Sequence, residues 1–519
     1  MYRLVQRRGI IGLFCLLFVA SSVVPGWAQK DNRFEVSKNL DIFNSLLKEV
    51  EMFYVDSVDV DKTVQRGIEA MLAGLDPYTE YYPEQKTEEL SLMTTGEYGG
   101  IGSLIRQRNN EGGVMIAEPT EGMPADLAGL KPGDLILAID TIDVSKATNS
   151  RVSELLKGVP NTKMVLTIQR PGEKKPRKFE ITRKQITTPQ VTYYGVKNDS
   201  IGYIYLKAFT IKSAQEVKEA FLDLKKNHNI KSLVLDLRGN GGGVLEGAVQ
   251  IVGMFVPKGS EVLSTKGKIK QWDRTYRTST EPLDTVMPLA ILINGKYYIP
   301  SGRCIQQIDY SHRKEDGSVA AIPDSLTSVF YTSKKRPVRD GGGVRPEFEV
   351  KEPKVPTMMY YLAADTVLFD FVTDWAQKHK TIAPIEEFTV SDEDFEALKQ
   401  YAKSKNFTYD RQSEKVLRNL KEVAEFEGYL EEDSTAFKEL EAKLTPNLEK
   451  DFDRFKDEVK RVMAAEIVKR YYYQRGELQE SLKDDLVLEK ALEVLGDPDL
   501  YRRTLSVPVE LEAATKGTE

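Results

Sequence analysis

Apolar residues at three- and four-residue spacing predict helices over residues 34–92. The first predicted helix carries one apolar stripe, formed by Leu40, Ile42, Phe43, Leu46, Leu47 and Val50. A second predicted helix over residues 63–75 ends at a stop and a turn, Gly74-Leu75-Asp76-Pro77.

The spacing changes at residue 96, where short apolar runs separated by glycine turns predict strands. "GEYGGIGSLI" predicts a glycine-rich turn that feeds a strand, and "TKMVLTIQRPGEKKPRKFEITRK" predicts two strands around a Pro-Gly turn. One short helix is predicted over Ala125–Ala128. Residues 96–186 are therefore expected to form a small α+β or barrel-like module.

Residues 200–295 alternate between strands and helices. "SIGYIYLKAF", "KSLVLDL" and "PLAILING" predict strands, while "SAQEVKEAFLDLKKN" and the segment after "RGNGGG" predict helices. The second strand is apolar throughout, as in a sheet covered on both faces. The order β-α-β-α-β predicts a mostly parallel sheet.

Residues 356–519 are highly charged and predict helices. Ser391 to Asp394 form a capping box before Phe395. A three- and four-spaced stripe predicts one long helix through Leu448, Phe452, Phe455, Val459, Val462 and Met463. This region is interpreted either as a helical packing domain or as a coil that docks a partner.

The N-terminus has the pattern of a secretory signal. Arg3, Arg7 and Arg8 precede an apolar run, and Gly26-Trp27-Ala28 supplies small residues at the cleavage positions. The run is shorter than the roughly 20 residues of a spanning helix. We expect export and removal of residues 1–28; an uncleaved membrane anchor is the alternative.

Charge and composition exclude several classes of function. Removal of three arginines with the signal takes the formal charge from −6 to −9, which argues against nucleic acid as a partner. Only Cys304 then remains, so no intrachain disulfide is expected. Three histidines, none in a metal-ligand spacing, give no reason to expect a metal or an organic cofactor: His228, His312 and His379.

Two glycine-rich segments are candidate binding sites. In "LVLDLRGNGGG" a strand delivers the chain to a candidate oxyanion loop whose exposed amides favour anions, formed by Gly239, Gly241, Gly242 and Gly243. A tight turn without a ligand is the alternative there. Earlier, successive amides beside a sheet edge predict a site for a peptide's terminal carboxylate, formed by Gly99, Gly100, Ile101 and Gly102. A simple hairpin turn is the alternative at that site.

Seven segments occur in the order seen in the C-terminal processing peptidases, also called tail-specific proteases. The chain resembles this family over residues 34–355, through "GEYGGIGSLI", "IAEPTEGMPADLAGLKPGDLILAID", "GYIYLKAF", "LVLDLRGNGGGVLEGAV", "PLAILING", "YYIPSGRCIQ" and "DGGGVRPEFEV". The resemblance implies a periplasmic serine endopeptidase whose PDZ module captures apolar C-termini. It also implies a serine nucleophile, a lysine general base and a glutamine that orients the lysine.

The segment that carries those three residues in the family has no counterpart in this chain. In the family, the strand that matches "PLAILING" runs into a serine-rich segment, and a lysine and a glutamine follow before the "YYIPSGR"-like strand. Here Gly295 is joined directly to Lys296-Tyr297-Tyr298. No catalytic serine, lysine or glutamine can be assigned by position, so we expect cleavage to be lost.

The nearest substitutes are poorly placed. Ser301 falls on a turn that is not catalytic in the family, and Lys296 lies five residues away on an extended segment. Cys304 is expected to be a small buried apolar residue. A missing helix and strand would also uncover apolar surface, so either the remaining sheet closes over the gap or the core is marginally stable.

The expected fold is multidomain α+β. Its parts are a signal peptide (1–28), N-terminal helices (29–95), a PDZ module (96–186), a truncated α/β peptidase core (187–355) and a helical domain (356–519). Expected partners are protein or peptide C-termini. Two further hypotheses are a peptide-binding or scaffold protein that acts through the PDZ and helical domains, with a partner or a second copy held by the helical domain, and an active peptidase that uses an unassigned route.

Overall fold

The computed structural model describes residues 33–75, 79–84, 87–108, 112–265, 269–294, 308–313, 319–321, 329–331, 337–339, 346–351, 355–409, 412–429, 434–444 and 447–506. The chain divides into two compact units, residues 1–83 and 84–519. The first unit contains helices α1 (Arg33–Phe53) and α2 (Val60–Ala73), which confirms the two predicted helices. The carboxylate of Asp59 caps α2 by accepting the N–H of Lys62 at 3.1 Å.

The second unit begins with a module of short strands, here called the first sheet module. Its elements are α3 (Thr87–Thr95), β1 (Glu97–Gly100), β2 (Ser103–Gln107), β3 (Val114–Pro119), α4 (Pro124–Leu127), β4 (Leu135–Ile139), β5 (Ile142–Asp143), α5 (Asn149–Leu156), β6 (Lys163–Gln169), β7 (Arg177–Thr182) and β8 (Lys184–Thr187). The main sheet has the order β2-β3-β4-β6-β7, with β5 beside β4, and β1 pairs with β8. The predicted strand pair and short helix are confirmed.

The prediction of a turn at "GEYGG" is wrong, because Glu97–Gly100 forms strand β1. Gly99 lets two backbone segments of the chain approach each other closely, and it does not form a turn. A Cβ atom on Gly99 would lie 2.2 Å from the carbonyl oxygen of Gly158, whose N–H donates to the Gly99 carbonyl at 3.1 Å. Only glycine fits between these two segments.

The second sheet module contains the predicted β-α-β-α-β order. Its elements are β9 (Val191–Lys197), β10 (Ile201–Leu206), α6 (Ser213–Asn227), β11 (Ser232–Asp236), α7 (Leu245–Val252), β12 (Glu261–Thr265), β13 (Arg274–Arg277) and β14 (Leu289–Leu292). The sheet order is β14-β11-β10-β9, in which β10, β11 and β14 are parallel and β9 is antiparallel. Strands β12 and β13 form a separate hairpin.

Short strand pairs and then helices complete the described chain. The strands are β15 (Ile308–Arg313), β16 (Val319–Ala321), β17 (Val329–Tyr331) and β18 (Pro337–Arg339). The helical module comprises α8 (Thr357–Ala364), α9 (Thr366–Lys378), α10 (Asp392–Ser404), α11 (Gln412–Phe426), α12 (Ser434–Leu444), α13 (Leu448–Arg454), α14 (Lys456–Ser481), α15 (Leu486–Gly496) and α16 (Pro498–Leu505). Among the described residues, no helix has both the length and the apolar character of a membrane span.

Two details of the helical module differ from the sequence analysis. Phe455 has φ −112° and ψ 30°, so the predicted single helix is wrong and the chain forms two helices, α13 and α14. Ser391 does cap α10, since its Oγ accepts the N–H of Asp394 at 3.0 Å. In a capping box the side chain of the fourth residue accepts the N–H of the first. Here the carboxylate of Asp394 accepts hydrogen bonds from the Ser391 hydroxyl and the Trp375 indole instead.

Both faces of the second sheet are covered. Helix α6 packs on one face through Val217, Phe221 and Leu224. The opposite face packs on α15, from the far end of the chain, through Leu488, Ala491 and Leu495. Tyr501 of α16 also bonds the backbone of edge strand β14, because its Oη accepts the Leu289 N–H at 3.1 Å. The helical module therefore covers the face of the second sheet that lies opposite α6.

A buried charge cluster fixes α15 to the sheet. Arg238 donates to both oxygens of Asp236 at 2.6–3.1 Å and to both oxygens of Asp485 at 2.5 and 2.9 Å. Asp236 also accepts the hydroxyl of Tyr203 at 2.7 Å, and burial raises the pKa of that tyrosine. Asp485 caps α15 by accepting the N–H groups of Val487 and Leu488.

The helical module also contacts the first sheet module. Helix α14 is interrupted at Tyr473, which has φ +58° and ψ −163°. The hydroxyl of Tyr473 donates to Asp126 at 3.0 Å, and Gln474 donates to Glu118 at 3.5 Å. A third contact joins the same two modules: Arg106 of β2 donates to the last carbonyls of α8, including that of Ala363 at 2.8 Å.

Leu488→Ala is expected to lower the free energy of unfolding by about 2–5 kcal/mol, because Leu488 is 2% exposed against the sheet. Denaturant unfolding of the purified chain measures this change. Leu486→Ala is the matched control, since that side chain lies in the same helix and is 44% exposed. Equal destabilisation by the two substitutions would mean that α15 does not cover the sheet.

Arg238→Met is expected to destabilise the protein by about 3–5 kcal/mol, because it leaves Asp236 buried without its cation. The control is Arg502→Met, which breaks an exposed pair with Asp499 and should change the stability by less than about 1 kcal/mol. Thermal or denaturant unfolding distinguishes the two. A neutral effect of Arg238→Met would contradict the role assigned to this cluster.

Candidate functional site

The predicted carboxylate site lies at the end of β1. The carbonyl of Ile101 accepts the N–H of Ala125 at 2.8 Å, and the carbonyl of Gly102 accepts that of Thr120 at 2.9 Å. Within the described part of the chain, the N–H groups of Ile101 and Gly102 have no acceptor. Ile101 is only 2% exposed, and a buried N–H group without an acceptor costs free energy that a bound acceptor would recover.

Glycine is required at the last position of this loop. Gly102 has φ +68°, and a Cβ atom there would lie 2.5 Å from the Cβ of Met123. Gly100, in the same loop, lies against Tyr98, because an added Cβ atom would come within 2.9 Å of a ring carbon. Burial raises the pKa of Tyr98. The ammonium of Lys157 lies 6.0 Å from that ring centroid and adds positive charge beside the loop.

An open strand edge continues from the loop. Strand β2 is the last strand in the order of its sheet, and α5 packs beside it. The N–H of Arg108 donates to Gly113 at 2.9 Å, which sets the alternation of ladder bonds between β2 and β3. The backbone groups of Ile105 and Gln107 are thereby directed to the free edge.

Strand β2 and helix α5 form the two sides of a groove. At its far end, the side chain of Gln107 bridges the two elements. The Gln107 Oε1 accepts the N–H of Asn149 at 2.8 Å, and its Nε2 donates to the Gly113 carbonyl at 3.0 Å. The groove therefore extends from the free amides of Ile101 and Gly102 to Gln107. An extended segment that ends in a carboxylate could add to β2 over this length.

The predicted oxyanion loop lies at the carboxyl end of β11. The N–H of Gly239 donates to the side chain of Asn294 at 2.9 Å, and that of Gly242 donates to Asn240 at 2.8 Å. In the described structure, the N–H groups of Gly241 and Gly243 have no acceptor. Two of the four predicted amides are therefore used internally, and two remain available to an anion.

Close packing explains the last glycine of this loop. A Cβ atom on Gly243 would lie 2.0 Å from the carbonyl oxygen of Phe209, which accepts the N–H of Val244 at 2.6 Å. Gly243 is thus needed for strand-like pairing with Phe209 whether or not the loop binds a ligand.

The hydroxyl of Tyr205 lies 3.6 Å from the position of a Cβ atom on Gly239, so it adjoins this loop. Asn294 is the last described residue before the junction at Gly295–Lys296, and the candidate substitutes Lys296, Ser301 and Cys304 lie outside the described residues. The loss of the nucleophile therefore stays a prediction. The described part of the chain holds no group of three or more metal-ligating side chains.

The charged cluster that holds this loop is not evident from the sequence pattern. Asp236 and Arg238 lie within "LVLDLRGNGGG" and directly precede the loop. The charged pair that interrupts an apolar strand end was the available signal, since a buried charge requires a partner. Its second partner, Asp485, lies 247 residues away in sequence and could not have been identified from the pattern.

Three family models match separate parts of the chain. A PDZ domain model matches residues 115–170 and the model of Peptidase family S41 matches residues 200–303. A third model, described as "Probable PDZ-protease, C-terminal helical domain", matches residues 358–495. These matches fall on the first sheet module, the second sheet module and the helical module.

Two solved structures show weak overall likeness. The photosystem II D1 C-terminal processing protease is 27% identical, with a TM-score of 0.26 over 48% of this chain and 67% of that chain. The PDZ domain of a carboxy-terminal protease from Vibrio cholerae, solved with a peptide, is 26% identical, with a TM-score of 0.17 over 18% of this chain and 99% of that chain. Both TM-scores are low, so the family assignment depends on the sequence matches.

Curated relatives agree with the family models. A carboxy-terminal-processing protease of Bartonella bacilliformis is 30% identical over 357 residues, which are 65% of this chain and 80% of that relative. A "Probable CtpA-like serine protease" of Staphylococcus aureus is 32% identical over 260 residues, or 49% of this chain and 50% of that relative. The chain belongs to the C-terminal processing proteases of peptidase family S41.

Proposed function

We propose that this protein is an exported member of its family that captures protein C-termini through its PDZ domain and does not cleave them. The observation that carries the proposal is the pair of N–H groups at Ile101 and Gly102, which lack an acceptor among the described residues and lie beside the open edge of β2. A carboxylate can accept both N–H groups in charge-assisted hydrogen bonds. The preceding peptide residues can then pair with β2.

The surroundings of the loop favour an apolar C-terminal residue. Ile101, Val152 and Leu156 belong to one buried apolar cluster, and Ile105 packs against it. Lys157 contributes a positive charge close to the loop. A small or apolar side chain next to a free carboxylate matches both properties.

Loss of cleavage is supported by the junction at Gly295–Lys296, where positional transfer assigns no serine, lysine or glutamine. The side-chain oxygen of Asn294 also accepts the hydrogen bond of the Gly239 N–H, which is one of the amides predicted to stabilise an oxyanion. Without a nucleophile and a base, an oxyanion loop has little chemistry to assist. The basic, apolar and small-residue pattern of residues 1–28 supports export to the periplasm.

A second candidate function is a scaffold that binds a partner protein or a second copy through the helical domain. Helix α11 supports it, because four apolar side chains at helical spacing are 50–94% exposed: Val416, Leu420, Val423 and Phe426. Such an interaction would not require the PDZ groove. A partner that stays bound when the groove is disabled would favour this candidate.

A peptide with an apolar C-terminal residue and a free carboxylate is expected to bind the mature chain saturably. Amidation of the same peptide should weaken binding at least about tenfold, because the amide removes the charge that the two N–H groups would bind. Fluorescence anisotropy with a labelled peptide measures both affinities. Equal affinity for the two peptides would refute capture through the carboxylate.

Gly102→Ala should abolish this binding, because the new Cβ atom would clash with Met123 at a φ of +68°. Gly112→Ala is the matched control, since Gly112 has φ +73° but no atom within 4 Å of the added carbon. The same anisotropy titration, with circular dichroism to verify folding, compares the two variants. Wild-type affinity in the Gly102→Ala variant would contradict the site.

The mature chain should leave an unfolded test protein with an apolar C-terminus intact. Mass spectrometry of the substrate, in a sample where the chain is shown to be folded, measures the outcome. New C-terminal fragments would contradict the loss of cleavage. Their persistence in a Ser301→Ala/Cys304→Ala double variant would show that neither substitute named above is the nucleophile.

A further inference from the structure

A cleft of about 520 Å³ lies between the PDZ domain and the helical domain. Its PDZ side is formed by the turns at Lys131 and Arg170, and its helical side by Thr373, Lys380 and Arg470. The volume falls in the range of small-molecule sites, about 300–1,000 Å³. The cleft lies apart from both glycine loops, which contribute no lining residue.

Positive charge in the cleft exceeds negative charge. Arg170 is matched by Asp134, which accepts its Nε and Nη2 at 2.8 and 2.7 Å. Glu173 is matched by Arg177. Among the described residues, the ammonium groups of Lys131 and Lys380 have no ion-pair partner, and both residues are exposed. One unbalanced cation therefore comes from each domain.

Arg470 is a second and independent indication of a ligand. Its side chain is 5% exposed, and its Nη1 pairs with Glu466 at 2.7 Å. Its Nη2 makes only two contacts of 3.4 Å, to the Phe369 carbonyl and the Thr373 hydroxyl. Its Nε has no partner among the described residues. The guanidinium also stacks on the ring of Phe369, with Cζ 4.3 Å from the ring centroid, but its five donors make only one short hydrogen bond.

The remaining wall suits a compact organic group. Pro132, Pro171, Ala376 and Tyr471 line the cleft between the cations. A ligand could place an anionic group near the cations while its carbon atoms contact this apolar wall.

We propose that this cleft binds a small molecule that carries a phosphate or carboxylate group. Lys131 and Lys380 would hold the anion from the two domains, and the Arg470 guanidinium would donate to it from the wall. Arginine and lysine are the side chains that proteins use for such oxyanions. A ligand in this position contacts both domains, so it would stabilise their arrangement.

The test uses the full mature chain, with inorganic phosphate in one arm and citrate in the other, at constant ionic strength set by sodium chloride. Isothermal titration calorimetry should show one saturable site per chain in at least one arm, together with a rise in the unfolding temperature. The two arms distinguish phosphate from carboxylate chemistry. No saturable binding of either anion up to about 10 mM, the limit of weak affinity, would overturn the proposal.

Two variants locate the site. Lys131→Ala/Lys380→Ala should weaken binding at least about tenfold. The control Lys218→Ala/Lys226→Ala makes the same change in net charge on α6 and should bind as the wild type does. Equal affinity in the two double variants would place the anion elsewhere and overturn the site.

Arg470→Lys keeps the charge but removes the planar donor fork, so it should also weaken binding while the chain stays folded. Wild-type affinity in that variant would refute a role for the guanidinium. The result is independent of peptide capture, because the Gly102→Ala variant should bind the anion with unchanged affinity. Loss of anion binding in that variant would contradict two separate sites.

Discussion

The salt bridges of Arg238 determine the arrangement of the second sheet and its cover. Burial acts to lower the pKa of the guanidinium, but its bonds to Asp236 and Asp485 outweigh that effect and raise the pKa. One carboxylate ends the strand before the glycine loop, and the other caps the helix that lies on the sheet. The position of the loop and the cover of the sheet therefore depend on the same buried charge.

The parallel sheet and the start of α10 could be predicted because they depend on local patterns. The apolar run before Asp236 indicated a covered strand, and Ser391 indicated a helix start. Contacts between distant segments could not be predicted in this way. The apolar stripe of Leu488 and Leu495 shows that α15 is covered, but it does not identify the sheet as its partner. Phe455 fits the apolar spacing while its backbone leaves the helix.

The candidate sites show the same limit. The glycine segments were found from sequence because few residue types allow a positive φ or a close backbone approach. Whether the N–H groups of these glycines already have an acceptor could not be predicted. The Gly239 N–H donates to Asn294, while the Gly102 N–H has no acceptor among the described residues. Hydrogen-bond partners depend on where other segments lie. The cleft beside Arg470 was not predicted at all, because residues from two domains form it.

The cover of the second sheet has a consequence for how the chain matures. Leu289 and Tyr501 are separated by 212 residues, and Arg238 and Asp485 by 247. Synthesis proceeds from the N-terminus, so the strands emerge long before the helices that bury them. One sheet face must stay exposed to water, or be protected by a chaperone, until the chain is nearly complete. Pairing over such separations is slow, which makes this step the period of greatest risk of aggregation.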